Sequence, residues 1–85
     1  MTDNEVIGLI RDALVHVAPN RSSEFQGIQI NQTVESLQLD SITTMEMVGF
    51  LEEKVDSVFP DEELAKVNAL SDLGDLIRGN RVGAA

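Results

Sequence analysis

Apolar residues recur at helical spacing along Val6, Ile10, Ala13, Leu14 and Val17, and the preceding Thr2-Asp3-Asn4-Glu5 has the Thr-x-x-Glu form of a capping box. The pattern predicts a first helix over residues 3–17, interrupted by Ala18-Pro19-Asn20. From Pro19 to about Val34 neither the helical nor the strand period is sustained, and Pro, Asn, Ser and Gly surround short apolar spots at Phe25, Ile28 and Ile30. This stretch reads as a long loop. A structureless connection of that length is uncommon in a small domain, so either Phe25, Ile28 or Ile30 pins it to the core or it contains a short helical turn.

Asp40 can cap a second helix over residues 41–58, because its carboxylate can accept from the unpaired amides of the first turn and nothing breaks the pattern before Phe59-Pro60. Asp61-Glu62-Glu63 places negative charge at the start of a third helix, which is short because only Leu64, Ala65 and Val67 follow before Asn68. Ser71 is the expected cap of a last helix that turns Leu73, Leu76 and Ile77 inward until Gly79-Asn80. No strand alternation of useful length, internal repeat or low-complexity tract is present. The expected class is all-α: a small four-helix bundle with a long loop between helices one and two and a short third helix. One domain is expected over residues 1–85, with its core at about 3–79 and a frayed tail at 80–85.

Winding the second helix at about 100° per residue separates two faces. Thr44, Met47, Val48, Leu51, Val55 and Val58 form the stripe expected to be buried. The opposite face carries Ile42, Met45 and Gly49, with Glu46 and Glu53 along one edge and Glu52 and Asp56 along the other. Glu52 and Asp56 stand at i,i+4, and Lys54 has no acid three or four positions away on this helix, so their repulsion of about 0.2–0.5 kcal/mol is uncompensated within it. Lys66, by contrast, can reach Glu62 and Glu63, and Arg78 can reach Asp75. A solvated acidic face explains most charge runs. The apolar stripe between the acids favours a docking surface that steers a basic partner.

Composition narrows the function. Fifteen acidic residues against six basic ones give a formal net charge of −9 over 85 residues, which repels nucleic-acid phosphates and anionic lipid headgroups. Neither nucleic acid nor membrane is an expected partner. The chain has no cysteine, so it lacks a disulfide framework, a thiolate metal site and a thiol nucleophile of its own. Met1-Thr2-Asp3-Asn4-Glu5 lacks the positive charge and apolar run of a signal peptide, and the expected state is a cytoplasmic monomer.

Asp40-Ser41 at a helix start admits two readings: plain capping, which is the commoner, or a site where a phosphate ester on Ser41 meets unpaired amides and the positive end of the dipole. Context decides between them. Val34-Glu35-Ser36-Leu37-Gln38-Leu39-Asp40-Ser41-Ile42, then Met45-Glu46-Met47-Val48, Leu51-Glu52-Glu53-Lys54-Val55 and Phe59-Pro60-Asp61-Glu62-Glu63, closely resemble the acyl carrier protein family. The resemblance is densest from Val34 to Ile77, and the order of the flanking helices agrees with it.

This resemblance implies that a phosphopantetheinyl transferase moves 4′-phosphopantetheine from coenzyme A onto the Ser41 hydroxyl, with Asp40 beside the transferase's metal and diphosphate. The arm then carries acyl intermediates as thioesters to enzymes of fatty-acid, polyketide or related biosynthesis that bear basic docking patches. It also implies that Ile42, Met45, Glu46 and Glu53 contact the transferase and other partners; Gly49, Glu52 and Asp56 join them from the wheel. Such a chain is a carrier without catalytic residues of its own, and the imported thiol suits the absence of cysteine. In many members the bundle shelters an acyl chain along the buried face of helix two.

Three positions depart from the family pattern. Gln38 stands where glycine is usual, Thr43 where an acid is frequent in fatty-acid carriers, and Phe50 where a smaller residue is common and a phenyl ring can shrink an acyl pocket. Together with Leu39-Asp40-Ser41-Ile42, which also resembles aminoacyl and peptidyl carriers loaded by an adenylating ligase, they lean towards a specialised carrier. A rival from another class is an unmodified acidic helical adaptor. A hydrolase is disfavoured because His16, the single histidine, is far along the chain from Ser41. Asp61-Glu62-Glu63 lacks the alternating oxygen ligands and glycine of a calcium loop, so no metal site is expected.

Overall fold

The computed structural model describes residues 1–79, so the expected fraying of residues 80–85 lies outside the described residues. Four α-helices, α1 (Asp3–Val17), α2 (Ser41–Val55), α3 (Asp61–Leu64) and α4 (Leu70–Ile77), are joined by two 3₁₀ segments, Pro19–Phe25 and Glu35–Leu37. The small, mostly helical all-α class expected from the periodicity is what the chain adopts.

The start of α1 is held as its sequence requires. Glu5 N–H donates to Thr2 Oγ1 at 3.2 Å while Thr2 N–H donates to Glu5 Oε1 at 2.8 Å, which completes the capping box. Val6, Ile10, Ala13 and Leu14 are buried. Their spacing puts them on one face, and α1 packs that face against α2, α4 and the first 3₁₀ segment. Gly74 permits the approach of α4, since a Cβ there would lie 3.0 Å from Val6 Cγ1. At the far end Pro19 forces Ala18 out of the helical region, and α1 stops.

The long connection is neither open nor structureless. Pro19 sits at the first position of a 3₁₀ helix, Phe25 and Ile28 are buried, and Arg11 donates from Nε to the Phe25 carbonyl at 3.1 Å. Further on, Leu70 N–H donates to Gln32 O and Ser71 N–H to Ile30 O, both at 2.8 Å, while Val34 N–H donates to Asn68 O at 2.8 Å. These bonds stitch the connection to the start of α4 around an isolated antiparallel bridge between Thr33 and Ala69. Both expected devices, apolar pins and a helical turn, are therefore used.

Three expectations are corrected. Helix two ends at Val55 rather than 58, because Asp56 turns left-handed (φ 51°) and its amide closes back on the Glu52 and Glu53 carbonyls. Beyond that turn the 100° progression no longer applies. Val58, assigned to the buried face, is 74% exposed, and Asp56 is a cap rather than a helical neighbour of Glu52. Ser71 does not cap the last helix. Ala69 is the N-cap residue, and Asp72, inside the first turn, reaches back to accept from Ala69 and Asn68 N–H, each at 3.0 Å. Among the described residues the ion pairs are Arg21–Glu24, Arg78–Asp3 and Arg78–Asp75. Lys66 joins neither Glu62 nor Glu63, since α3 stops at Leu64 and Lys66 leaves its register.

Arg78 ties the two ends of the described chain together. Its Nε donates to the Met1 carbonyl at 2.9 Å and its Nη2 to Asp3 at 2.6 Å. No helix among the described residues is long and apolar enough to cross a membrane.

Candidate functional site

The turn entering α2 is built backwards from its cap. Asp40 is extended and its Oδ1 accepts from Thr43 N–H at 2.7 Å, while its carbonyl accepts from Thr44 N–H at 2.9 Å and Thr44 Oγ1 at 2.8 Å. The Thr43 amide, followed by the Thr43 hydroxyl, holds the Asp40 carboxyl below the ordinary aspartate range. With capping done by Asp40, Ser41 has no structural duty. It is the first helical residue, it is exposed, and its hydroxyl has no hydrogen-bond partner among the described residues.

From Ser41 the exposed face runs along α2. Ile42 is 74% and Met45 75% exposed, which is where the wheel places them. Glu46 and Glu53 are exposed beside them. Between these two acids, half-buried Gly49 offers no side chain, and a Cβ added there would meet nothing within 4 Å. His16, Val17 and Phe50 complete a groove of about 440 Å³ along this edge. Two rings line it: those of His16 and Phe50 lie 4.8 Å apart, and Lys54 Nζ sits 5.2 Å from the Phe50 ring. Lys54, without a helical acid partner, is thus placed over a ring.

The other edge behaves differently. Glu52 is half-buried, and its Oε2 accepts from Phe59 N–H at 2.6 Å. Asp56 and Ser57 remain exposed at the α2 C-terminus. One edge therefore presents two exposed carboxylates, while on the other Glu52 is engaged with the following loop and Asp56 alone is left exposed.

Behind α2 lies a cavity of about 530 Å³ whose wall includes Thr44, Met45, Met47 and Val48 of α2, Val58 and Phe59 of the following connection, and Leu64 of α3. Thr44 and Met45 place it one helical turn in from Ser41. Met45 and Val58 are both largely exposed and stand at its mouth. The lining is mostly apolar, the kind of surface that takes a hydrocarbon rather than an ion. Phe50 is not part of this lining, so its ring removes no volume from the cavity.

Sequence reasoning placed Ser41 at the start of α2 and Ile42 and Met45 on an exposed stripe, and of the face it expected to be buried, Thr44, Met47, Val48 and Val58 line the cavity. It missed the share of Met45 and Glu52, assigned to the outer face, and the wall contributed by Phe59 and Leu64, which depends on where the chain goes after Asp56. It also missed Arg21, whose Nη2 donates to the Leu37 carbonyl at 2.7 Å and whose Nη1 donates to that of Gln38 at 3.2 Å. The available signal was a lone base in a polar stretch, seventeen residues from Gln38. Among the described residues no three His, Asp or Glu side chains gather as a metal site. No family model matches the chain.

Proposed function

We propose that this protein is an acyl carrier protein whose Ser41 hydroxyl receives 4′-phosphopantetheine. The observation that carries the reading is the division of labour at the α2 start, where Asp40 does the capping and leaves Ser41 exposed and unengaged. A serine serving as a cap would hold its hydroxyl against the second or third amide. This one does not.

The residues present fit the group. A phosphodiester on Ser41 would sit at the positive end of α2, in a position that disturbs no packed residue. When bound, the arm supplies the thiol that this chain lacks, to hold cargo as a thioester. The remaining work belongs to the chain itself. Ile42 and Met45 offer apolar contact, Glu46 and Glu53 attract a basic partner, and the cavity behind α2 offers an apolar surface within a turn of the attachment point. Attachment forms the Ser41 Oγ–phosphorus bond and breaks the diphosphate of coenzyme A, releasing adenosine 3′,5′-bisphosphate. The base and the divalent cation come from the transferase. On this reading the helices form an acyl-carrier-type bundle, the protein carries rather than catalyses, and its partners are the transferase and acyl-processing enzymes with basic patches.

The test is intact mass before and after incubation with coenzyme A, magnesium and a broad-specificity phosphopantetheinyl transferase. A single phosphopantetheine-sized gain in wild type and none in Ser41→Ala is expected. No gain in folded, initially unmodified wild type would overturn the reading and favour an unmodified acidic adaptor.

A further inference from the structure

We propose that Arg21 is a positioning residue for Ser41, holding the turn before α2 in the one conformation that presents the hydroxyl; this rests on the carrier reading above. Gln38 is left-handed, with φ 55° and ψ 48°. A side chain with a Cβ disfavours that region, where Cβ crowds the following carbonyl oxygen. Gln38 immediately precedes Leu39-Asp40-Ser41, so its conformation sets the direction in which the chain enters α2.

Local bonds do not suffice to hold it. Gln38 N–H donates to the Glu35 carbonyl at 3.0 Å, which closes the 3₁₀ turn, but the Leu37 and Gln38 carbonyls accept from no backbone donor among the described residues. Both are satisfied by Arg21, through Nη2 at 2.7 Å and Nη1 at 3.2 Å. A guanidinium is suited to this because its donors lie in one plane and splay at a fixed angle, whereas an ammonium is a single point.

Arg21 is itself held on two sides. Glu24 accepts from its Nε at 3.2 Å and from Nη2 at 3.1 Å, and the guanidinium carbon lies 5.2 Å from the centroid of the buried Phe25 ring. The first 3₁₀ segment thus acts as a fixed arm. Phe25 anchors it in the core, Glu24 aims the guanidinium, and Arg21 fastens the turn from which Asp40 and Ser41 project. The clamp touches neither residue, so it acts through the backbone.

Transferase kinetics on wild type, Arg21→Ala, Arg21→Lys and Arg21→Ala/Gln38→Gly, with amide exchange at Thr43 measured in parallel, test this role. Thr43 N–H reports the Asp40 cap directly. Arg21→Ala is expected to lower kcat/KM for modification about 5- to 30-fold, the factor set by one strained left-handed residue, and to speed Thr43 exchange while core amides such as Leu14 stay protected. Arg21→Lys should recover little. Adding Gln38→Gly should recover most of both losses, because glycine adopts the turn without a clamp. A modification rate in Arg21→Ala equal to wild type would overturn the proposal. So would a slowed rate with uniformly faster exchange and no rescue by glycine, the mark of general destabilisation. A wild type that accepts no group would overturn the carrier reading and the role in modification with it, while the Thr43 exchange ratio would still show whether Arg21 fastens the turn.

Discussion

The Glu52 carboxylate accepts the Phe59 amide at 2.6 Å across seven residues, folding the segment after α2 back onto the helix that precedes it. Both residues line the cavity behind α2. An acid that a helical wheel assigns to a solvated edge is thereby a brace for one wall of an apolar space.

Removing the brace is expected to loosen that wall without unfolding the bundle. Glu52→Ala should cost about 1.5–3 kcal/mol in urea titration, the range for a hydrogen bond to a charged group, and should speed amide exchange at Phe59. Glu52→Gln keeps an acceptor oxygen and should retain part of the protection. Unchanged Phe59 exchange in Glu52→Ala would show that the connection is held by the burial of the Phe59 ring alone.

Stability should fall at acid pH, and three helix starts give the direction. Bonds from the Thr2 amide and then its hydroxyl lower the Glu5 pKa, the Thr43 amide lowers that of Asp40, and the Ala69 and then Asn68 amides lower that of Asp72. A carboxyl whose folded pKa is depressed stabilises the fold above its unfolded pKa, about 4, and loses that contribution as pH falls through the folded value. The melting temperature should therefore be level near neutrality and decline below about pH 4. The gap between wild type and Asp72→Asn, recorded from pH 7 downwards, should narrow over the same window. A gap that stays constant would mean that the charge on Asp72 contributes nothing.

Charge reversal at Glu46 and Glu53 separates steering from folding. Both carboxylates are exposed, and neither takes part in an ion pair among the described residues. On the proposed carrier reading, the double variant Glu46→Lys/Glu53→Lys should melt close to wild type yet react with a phosphopantetheinyl transferase about tenfold more slowly at low ionic strength, the deficit shrinking as salt screens the field. A deficit that does not depend on salt would point to lost contact rather than lost attraction.

The sequence is most informative where a feature is local. The Thr2–Glu5 box, the Asp40 cap, the stop before Pro19 and the exposed Ile42 and Met45 each follow from residues within a few positions of one another. Legibility fails where a single dihedral redirects the chain. Asp56 at φ 51° ends α2 early and moves Val58 from the buried stripe to the cavity mouth, and nothing in the spacing of Val55 and Val58 announces it. The last helix misled for a related reason: Ser71 and Asp72 are both competent capping residues, and Ser71 N–H is instead drawn to the Ile30 carbonyl, forty-one residues away in sequence, about which a local rule carries no information. Arg21 belongs to the same class, a clamp made across sixteen and seventeen residues.

Arg78 spans nearly the whole described chain, meeting Asp3 across 75 residues and the Met1 carbonyl across 77. Closing so large a loop through a surface contact is entropically demanding and yields little until α1 and α4 are already packed. The bond is thus expected to be absent at the folding barrier and to form on its native side, which makes it a brake on disassembly rather than an aid to assembly. In a chevron measurement Arg78→Ala should raise the unfolding limb and leave the refolding limb where it was. The lifetime of the native state would then be set in part by one guanidinium that binds Met1 and Asp3 to the C-terminal cap of α4.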